Sequence, residues 1–248
     1  SFGYHTYKKL NKLENDHVFD LSSITKILAT MPLVIQEYES GNLSLNTRLN
    51  QLFPKKTLAD KGEITLKEML SHYARLRPWI PFYEETLNRK EKPKTRLYKT
   101  SSRSSFSTPV TENLFLKKNY KKKIFKSIVE SELIEKLEFK YSDLPFYFLK
   151  FWFEDIYSKP LDLLAHERIF SKLQLERTMF NPYKKLSLDE IVPSEEDDFF
   201  RYSKLHGYVH DEGAAMLGGV SGHAGLFSNS YEVAVILQAM IQGGSYNN

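Results

Sequence analysis

Residues 18–26 read Val-Phe-Asp-Leu-Ser-Ser-Ile-Thr-Lys and lead into an apolar run. The short polar side chains within residues 20–22 can accept the free backbone N–H groups of a first helical turn. We therefore predict that a helix starts there and continues to about Tyr38. Residues three apart lie on one face of a helix. The Oγ atom of Ser23 and the Nζ atom of Lys26 can thus approach each other.

A serine and a lysine at this spacing have a chemical use. A serine hydroxyl is a weak nucleophile that needs an adjacent base, and a lysine is a base only when its amine is neutral. The first turn of a helix adds backbone N–H groups that favour developing negative charge. Residue frequencies predict about two S-x-x-K matches by chance in such a chain. The alternative is therefore an ordinary surface serine and lysine on an amphipathic helix.

A second candidate for proton transfer lies downstream, in Tyr141-Ser142-Asp143. A phenol close to a lysine ammonium loses its proton more readily, so Tyr141 could carry protons to and from Ser23. The alternative is that Tyr141 is a half-buried aromatic residue of the core.

The composition is that of a globular protein, with 41% hydrophobic and 27% charged residues. The 248 residues suffice for one large domain or two small ones. The absence of cysteine excludes disulfides and thiolate metal sites. The net charge of +4 is modest, and the lysines of residues 117–126 are expected on solvated faces or, less favoured, on a phosphate- or envelope-binding surface. We predict no nucleic-acid partner, no membrane span and no signal peptide at residues 1–5.

Elsewhere the sequence pattern is helical, with few strands. It predicts a short helix at 64–72, helical spacing over 111–135 and 161–173, and a last helix over 231–241. Residues 78–110 are polar and basic and contain several prolines, which favours a long loop or insertion. The regular strand–helix alternation of a doubly wound sheet is absent from the pattern.

Polar residues near the C-terminal end raise the question of a metal site. The candidate ligands are His206, His210, Asp211, Glu212 and His223. Gly207 and the flanking aromatic residues disfavour the helix that would bring the first two histidines together. We therefore predict no metal, and loop residues that form hydrogen bonds beside a cleft. No cofactor is predicted either, since Gly218-Gly219 lacks the Lys-Ser/Thr pair of a phosphate loop.

Seven segments resemble, in order, those of the serine β-lactamase-related domains. This group of penicillin-recognising proteins includes class C β-lactamases, D,D-peptidases and related esterases. The segments are residues 18–26, 38–45, 64–72, 141–144, 173–178, 210–212 and 218–228. Residues 141–143 resemble the Y-x-N motif of the group. Collinear matches along nearly the whole chain are far more specific than the S-x-x-K motif alone.

The resemblance implies an α/β (α+β) fold in which a helical region packs on an antiparallel sheet. It also implies an acyl-enzyme mechanism, in which Ser23 attacks a carbonyl group and Lys26 and Tyr141 transfer protons. The backbone N–H of Ser23 would then form half of the oxyanion hole. Substrate-binding side chains are expected at Asp143, His72 and His223.

The resemblance further suggests a biological setting. The substrate would be a small molecule or a peptide, and the location a bacterial periplasm or cell envelope, with a role in the cell wall. A fused or associated glycoside hydrolase module is a candidate partner.

Three features depart from the pattern of the group. Position 143 is Asp instead of Asn, which would tend to keep Lys26 charged. Residues 73–75 read Tyr-Ala-Arg instead of Thr-Ser-Gly. The K-T-G or H-x-G motif of the closing strand has no convincing match, since residues 223–225 lie in an earlier glycine-rich segment. We therefore expect one domain over residues 1–248, truncated at both ends and with an incomplete sheet. The alternative function is a non-catalytic penicillin-binding-like module that binds wall peptides or a partner domain.

Overall fold

The computed structural model describes residues 2–245. The α-helices are α1 (Met31–Glu39), α2 (Leu49–Leu52), α3 (Leu66–Leu70), α4 (Tyr120–Glu130), α5 (Leu144–Tyr157), α6 (Leu161–Ala165), α7 (Glu212–Ala215) and α8 (Ser230–Ile241). The strands are β1 (Phe19–Asp20), β2 (Tyr98–Lys99), β3 (Thr108–Thr111), β4 (Leu114–Leu116), β5 (Met179–Phe180), β6 (Glu195–Asp197), β7 (Ser203–Leu205) and β8 (Leu226–Ser228). These strands pair in antiparallel sheets of order β1-β8-β5, β2-β4-β3 and β6-β7.

The predicted nucleophile lies at the start of a composite helix. A 3₁₀ turn at Ser22–Ile24 and a π-helical stretch at Lys26–Thr30 precede α1. Pro32 lies in the first turn of α1, where its missing N–H removes no α-helical hydrogen bond. The structure thus confirms the predicted helix, and the proline is accommodated where one helical geometry changes to another.

Residues of the glycine-rich segment, 218–228, hold this helix against the sheet through hydrogen bonds. The backbone N–H of Leu21 donates to the carbonyl of Leu226 over 2.9 Å, and the N–H of Leu226 donates to Thr25 Oγ1 over 3.1 Å. The hydroxyl of Thr30 donates to the carbonyl of Gly222 over 2.7 Å. Strand β8, which begins at Leu226, pairs with both β1 and β5. The segment therefore fixes the position of the first helical turns.

The aromatic helix α5 crosses the centre of the molecule. Residues 144–153 of this helix are all buried. The ring of Phe148 lies 6.1 Å from that of Phe53 and 5.8 Å from that of Phe125, so three distant segments meet on it. Within residues 2–245, no helix combines the length and apolarity needed to cross a membrane.

The predictions for residues 78–135 need correction. Residues 78–110 are not only a loop, because they contain β2 and most of β3. Residues 111–116 are not helical either, since β3 and β4 form a hairpin, and the helix begins only at Tyr120. The apolar side chains of Val110 and Leu116 are buried in this hairpin. Two buried residues among many polar ones give too weak a pattern to predict a strand pair. The predicted helices at 64–72 and 231–241 are confirmed as α3 and α8.

Candidate active site

Ser23 and Lys26 meet as their spacing predicts. The Nζ atom of Lys26 donates a hydrogen bond to Ser23 Oγ over 2.9 Å. Ser23 is exposed at the surface, whereas Lys26 is only 2% exposed. The accessible Ser23 hydroxyl therefore contacts the buried Lys26 amine. Both residues lie at the start of the composite helix, where backbone N–H groups lack intrahelical acceptors.

The amine of Lys26 has two further acceptors. It forms an ion pair with Asp143 Oδ1 at 2.7 Å and donates to the backbone carbonyl of His223 over 3.3 Å. Ser23 Oγ and the His223 carbonyl thus accept hydrogen bonds from the amine, and Asp143 adds an ion pair. An amine must be neutral to accept the proton of Ser23, and the Asp143 carboxylate lies at ion-pair distance from this amine.

Tyr141 contacts Lys26 through its ring. The Nζ atom lies 4.9 Å from the ring centroid, which is a cation–π contact, and the ring packs on His72 at a centroid distance of 4.6 Å. Among the described residues, the Tyr141 hydroxyl makes no hydrogen bond to Ser23 or Lys26. The structure thus brings Tyr141 to the lysine, and its role in proton transfer stays a prediction.

His72 supports the segment that carries Tyr141 and Asp143. It follows α3, whose first turn is closed by a capping box of Thr65 and Glu68. The Nδ1 atom of His72 accepts the backbone N–H of Ser142 over 3.2 Å. Burial, with the nearby Lys26 charge, lowers the pKa of His72 below its ordinary value, against a smaller opposing effect of Asp143. A neutral imidazole with Nδ1 as acceptor fits these contacts, and substrate binding by His72 stays a prediction.

His223 is buried behind the lysine. Its Nε2 atom lies 2.8 Å from Asp211 Oδ1, its Nδ1 atom lies 2.9 Å from Ser221 Oγ, and its ring stacks on Tyr147. Burial alone would raise the pKa of Asp211, but His223, the N–H of Ala214 and Lys26 hold it at about 2. What reaches Lys26 is the backbone carbonyl of His223, so a substrate-binding role of its side chain stays a prediction.

Asp20 is a residue that the sequence does not single out as functional. Its carboxylate accepts the N–H of Ser22 over 2.7 Å and the N–H of His210 over 2.6 Å. Burial raises the pKa of Asp20, and these two hydrogen bonds partly oppose the rise. Asp20 thus links the turn that carries Ser23 to the segment that begins at His210. The sequence signal was present, since Asp20 and His210 both lie in segments that resemble the family.

The five candidate metal ligands do not form one cluster. His206 Nε2 lies 2.6 Å from the carbonyl of Ile191, and His210 Nε2 lies 3.2 Å from Glu195. A different set, Asp143, Asp211 and His223, offers ligand atoms within 4.8 Å of one another. Its two carboxylates already contact Lys26 and His223. These contacts agree with the predicted role of this segment as a hydrogen-bonded border of the site.

A cleft of about 230 Å³ opens beside Asp143. Residues of the predicted loop form one wall, and residues of α5 and α7 form the other. The lining residues are Trp79, Ile80, Pro81, Phe82, Tyr83, Asp143, Tyr147, Asp211, Glu212 and Gly213. Because Asp143 contacts Lys26, the cleft adjoins the serine–lysine pair.

The fold and this site define a class of protein: an S-x-x-K serine protein with helices packed on antiparallel strands. The family model described as Beta-lactamase matches residues 1–247, and the chain belongs to this family.

Comparisons with individual proteins agree with the family. The chain is 30% identical over 244 residues to a Salmonella agona (strain SL483) protein named "Putative D-alanyl-D-alanine carboxypeptidase", covering 89% of this chain and 55% of that protein. The chain therefore spans about half the length of this curated relative.

Solved structures show the same fold at low sequence identity. A class C beta lactamase from Rhodobacter sphaeroides has a TM-score of 0.62 at 15% identity, over 99% of this chain and 57% of the other. The D-amino acid amidase from Ochrobactrum anthropi SV3 has a TM-score of 0.65 at 14% identity, over 100% of this chain and 62% of the other. The predicted fold class is confirmed.

Proposed function

We propose that this chain carries the serine–lysine centre of a serine hydrolase, which forms an acyl-enzyme with the carbonyl of an amide, β-lactam or ester. The observation that carries the proposal is the 2.9 Å contact between the buried Lys26 amine and the exposed Ser23 hydroxyl. Membership of the beta-lactamase family supports it.

The proposed reaction has two stages. Ser23 Oγ forms a bond to the carbonyl carbon while its proton passes to the neutral amine of Lys26. The bond to the leaving group then breaks, and the leaving group takes a proton from Lys26 or Tyr141. Water attacks the acyl ester in the second stage and releases the acid and free Ser23. Backbone N–H groups of the first helical turn stabilise the oxyanion in both stages.

A link to the bacterial cell wall completes the proposal. It rests on the name of the Salmonella relative, a D-alanyl-D-alanine carboxypeptidase, and favours a peptide or small-molecule substrate in the periplasm or envelope. The predicted glycoside hydrolase partner receives no support from the comparisons and is not part of the proposal.

One observation favours the alternative of a non-catalytic binding module. The amine of Lys26 lies 2.7 Å from Asp143 Oδ1, and an ammonium in an ion pair cannot act as a base. A module that binds wall peptides without turnover would need no neutral lysine.

An active-site label separates the two functions. We expect a fluorophosphonate to phosphonylate Ser23 of the full-length protein with loss of HF, and Ser23→Ala to lose the adduct. The exposed Ser101→Ala is the matched control and should keep it. A folded protein without an adduct on Ser23 would overturn the hydrolase in favour of the binding module.

The lysine is tested by the rate of the same labelling. Lys26→Ala should slow it by roughly 10²–10⁴-fold, the usual contribution of a general base. The exposed Lys67→Ala removes an equal charge elsewhere and should label at the wild-type rate. Equal labelling rates in Lys26→Ala and the wild type would show that Ser23 does not depend on this amine.

A further inference from the structure

The cleft beside Asp143 has two chemically different walls. Asp143, Asp211 and Glu212 supply carboxylates from one side. Trp79 and Tyr83 supply aromatic surface from the other, and the Trp79 side chain is about half exposed. Carboxylates and indole rings both attract organic cations.

The charges around the cleft do not cancel. None of its lining residues is a lysine or an arginine. Lys26 balances Asp143, and a protonated His223 would at most balance Asp211. The negative charge of the Glu212 carboxylate is then not balanced by these two cations. Burial and the neighbouring Asp211 raise the pKa of Glu212, and Arg201, whose charge opposes this rise, is itself paired with Asp197.

Tyr147 provides an independent sign that the cleft takes a ligand. Its side chain is 3% exposed and lines the cleft, yet its hydroxyl has no hydrogen-bond partner among the described residues. The hydroxyl packs on Gly213 so closely that a Cβ there would lie 1.9 Å away. The Tyr147 hydroxyl lies at the wall of the cleft without a partner among the described residues, so it is free to bind a ligand there. Burial and the carboxylates hold the pKa of Tyr147 far above its ordinary value, so the phenol stays neutral.

We propose that this cleft binds a protonated amine of the substrate, next to the carbonyl that Ser23 attacks. The inference rests on the proposed function and names its substrate class: acyl compounds whose acyl portion carries an ammonium group. Three N–H donors of an ammonium match the Tyr147 hydroxyl and the carboxylates of Glu212 and Asp143. A substrate carboxylate in the same place would meet only negative charge and be rejected.

Two penicillins provide a matched pair of probes. Ampicillin differs from benzylpenicillin by one ammonium group on the acyl side chain. We expect ampicillin to acylate Ser23 of the full-length protein at least about tenfold faster, the effect of one charge-assisted hydrogen bond. The measurement is the second-order rate constant from adduct mass on Ser23 against time.

Variants locate the effect in the cleft. Glu212→Gln keeps the size of the side chain and should reduce the ratio of the two rate constants by roughly tenfold. Tyr147→Phe removes only the hydroxyl and should reduce the ratio in the same direction. Glu196→Gln removes one charge from the exposed face of β6 and should keep the wild-type ratio.

The outcomes distinguish this inference from the proposed function. Equal rates, a faster benzylpenicillin, or a ratio that Glu212→Gln leaves unchanged would overturn the ammonium site. Failure of ampicillin to react with a protein that a fluorophosphonate labels at Ser23 would do the same. Absence of any adduct from all three reagents would overturn the hydrolase itself.

Discussion

The amine of Lys26 has three polar contacts, and only one of them is close in the sequence. Ser23 lies three residues away, whereas Asp143 and the His223 carbonyl come from segments more than 100 residues downstream. The amine is therefore placed by the local helix, and its ion-pair partner is supplied by the tertiary structure. This division explains why the S-x-x-K motif alone is weak evidence of chemistry.

The first prediction at this scale concerns His72 and pH. Since burial and Lys26 lower the pKa of His72, the unfolded chain binds a proton before the folded protein does as the pH falls. Acid therefore removes stability, starting near the ordinary histidine pKa of about 6.5. In His72→Asn, the amide oxygen can replace Nδ1 as acceptor, and asparagine tolerates the φ of 59° at this position.

We expect the urea midpoint of His72→Asn to fall less than that of the wild type between pH 7.5 and 5.5. His166→Asn replaces an exposed histidine and should show the wild-type dependence. Parallel curves for His72→Asn and the wild type would contradict the assignment of this pH effect to His72.

At the scale of elements, the composite helix at 22–39 is held by the segment 221–226. At Gly222, this segment packs directly against the backbone of α5. An added Cβ at Gly222 would lie 2.2 Å from the carbonyl oxygen of Phe146. Close packing against α5 thus explains the glycine at this position. The same segment positions the His223 carbonyl, which accepts a hydrogen bond from Lys26.

Gly222→Ala tests this packing. The backbone of α5 or of the segment must move, so we expect a loss of about 1–3 kcal/mol in the free energy of unfolding, measured in urea. Gly62→Ala is the control, because its Cβ would meet its nearest neighbour at 3.5 Å, an ordinary contact. Equal stabilities for the two variants would show that the close approach at Gly222 has no energetic weight.

At the scale of the whole molecule, one large hydrophobic core spans most of the described chain. Its buried residues extend from Leu28, five residues after Ser23, to Ile236 in α8, and Phe148 lies among them. We propose on this basis that residues 2–245 belong to one domain. The site depends on this core, because Asp143 and Tyr147 stand at the start of the helix that carries Phe148.

Phe148→Ala should therefore destabilise the protein as a whole. Removing a fully buried aromatic side chain costs about 3–5 kcal/mol, and circular dichroism in the near and far ultraviolet should report one common transition. Leu163→Ala truncates an apolar side chain that is 48% exposed and should change stability by less than about 0.5 kcal/mol. Separate transitions in Phe148→Ala would argue for two independent units.

The sequence predicted the parts of this site that depend on local geometry. The helix start, the approach of Lys26 to Ser23 and the short helix before His72 follow from caps and periodicity. The hairpin of β3 and β4 did not, because its buried apolar residues are few and lie among many polar ones. Tyr147 was missed, and Glu212 was predicted only as a residue of a hydrogen-bonded loop beside a cleft, because nothing in their sequence neighbourhood shows that they face one cleft.

By itself, then, the sequence determined the family of this protein and the serine–lysine pair, since both depend on residue identity and helical spacing. Only the tertiary structure decided what surrounds that pair. It brought Asp143 onto Lys26, buried the His223 ring against Asp211 and left the Tyr147 hydroxyl open to an acidic cleft. Charge and desolvation act through distances in space, and chain separation does not report those distances.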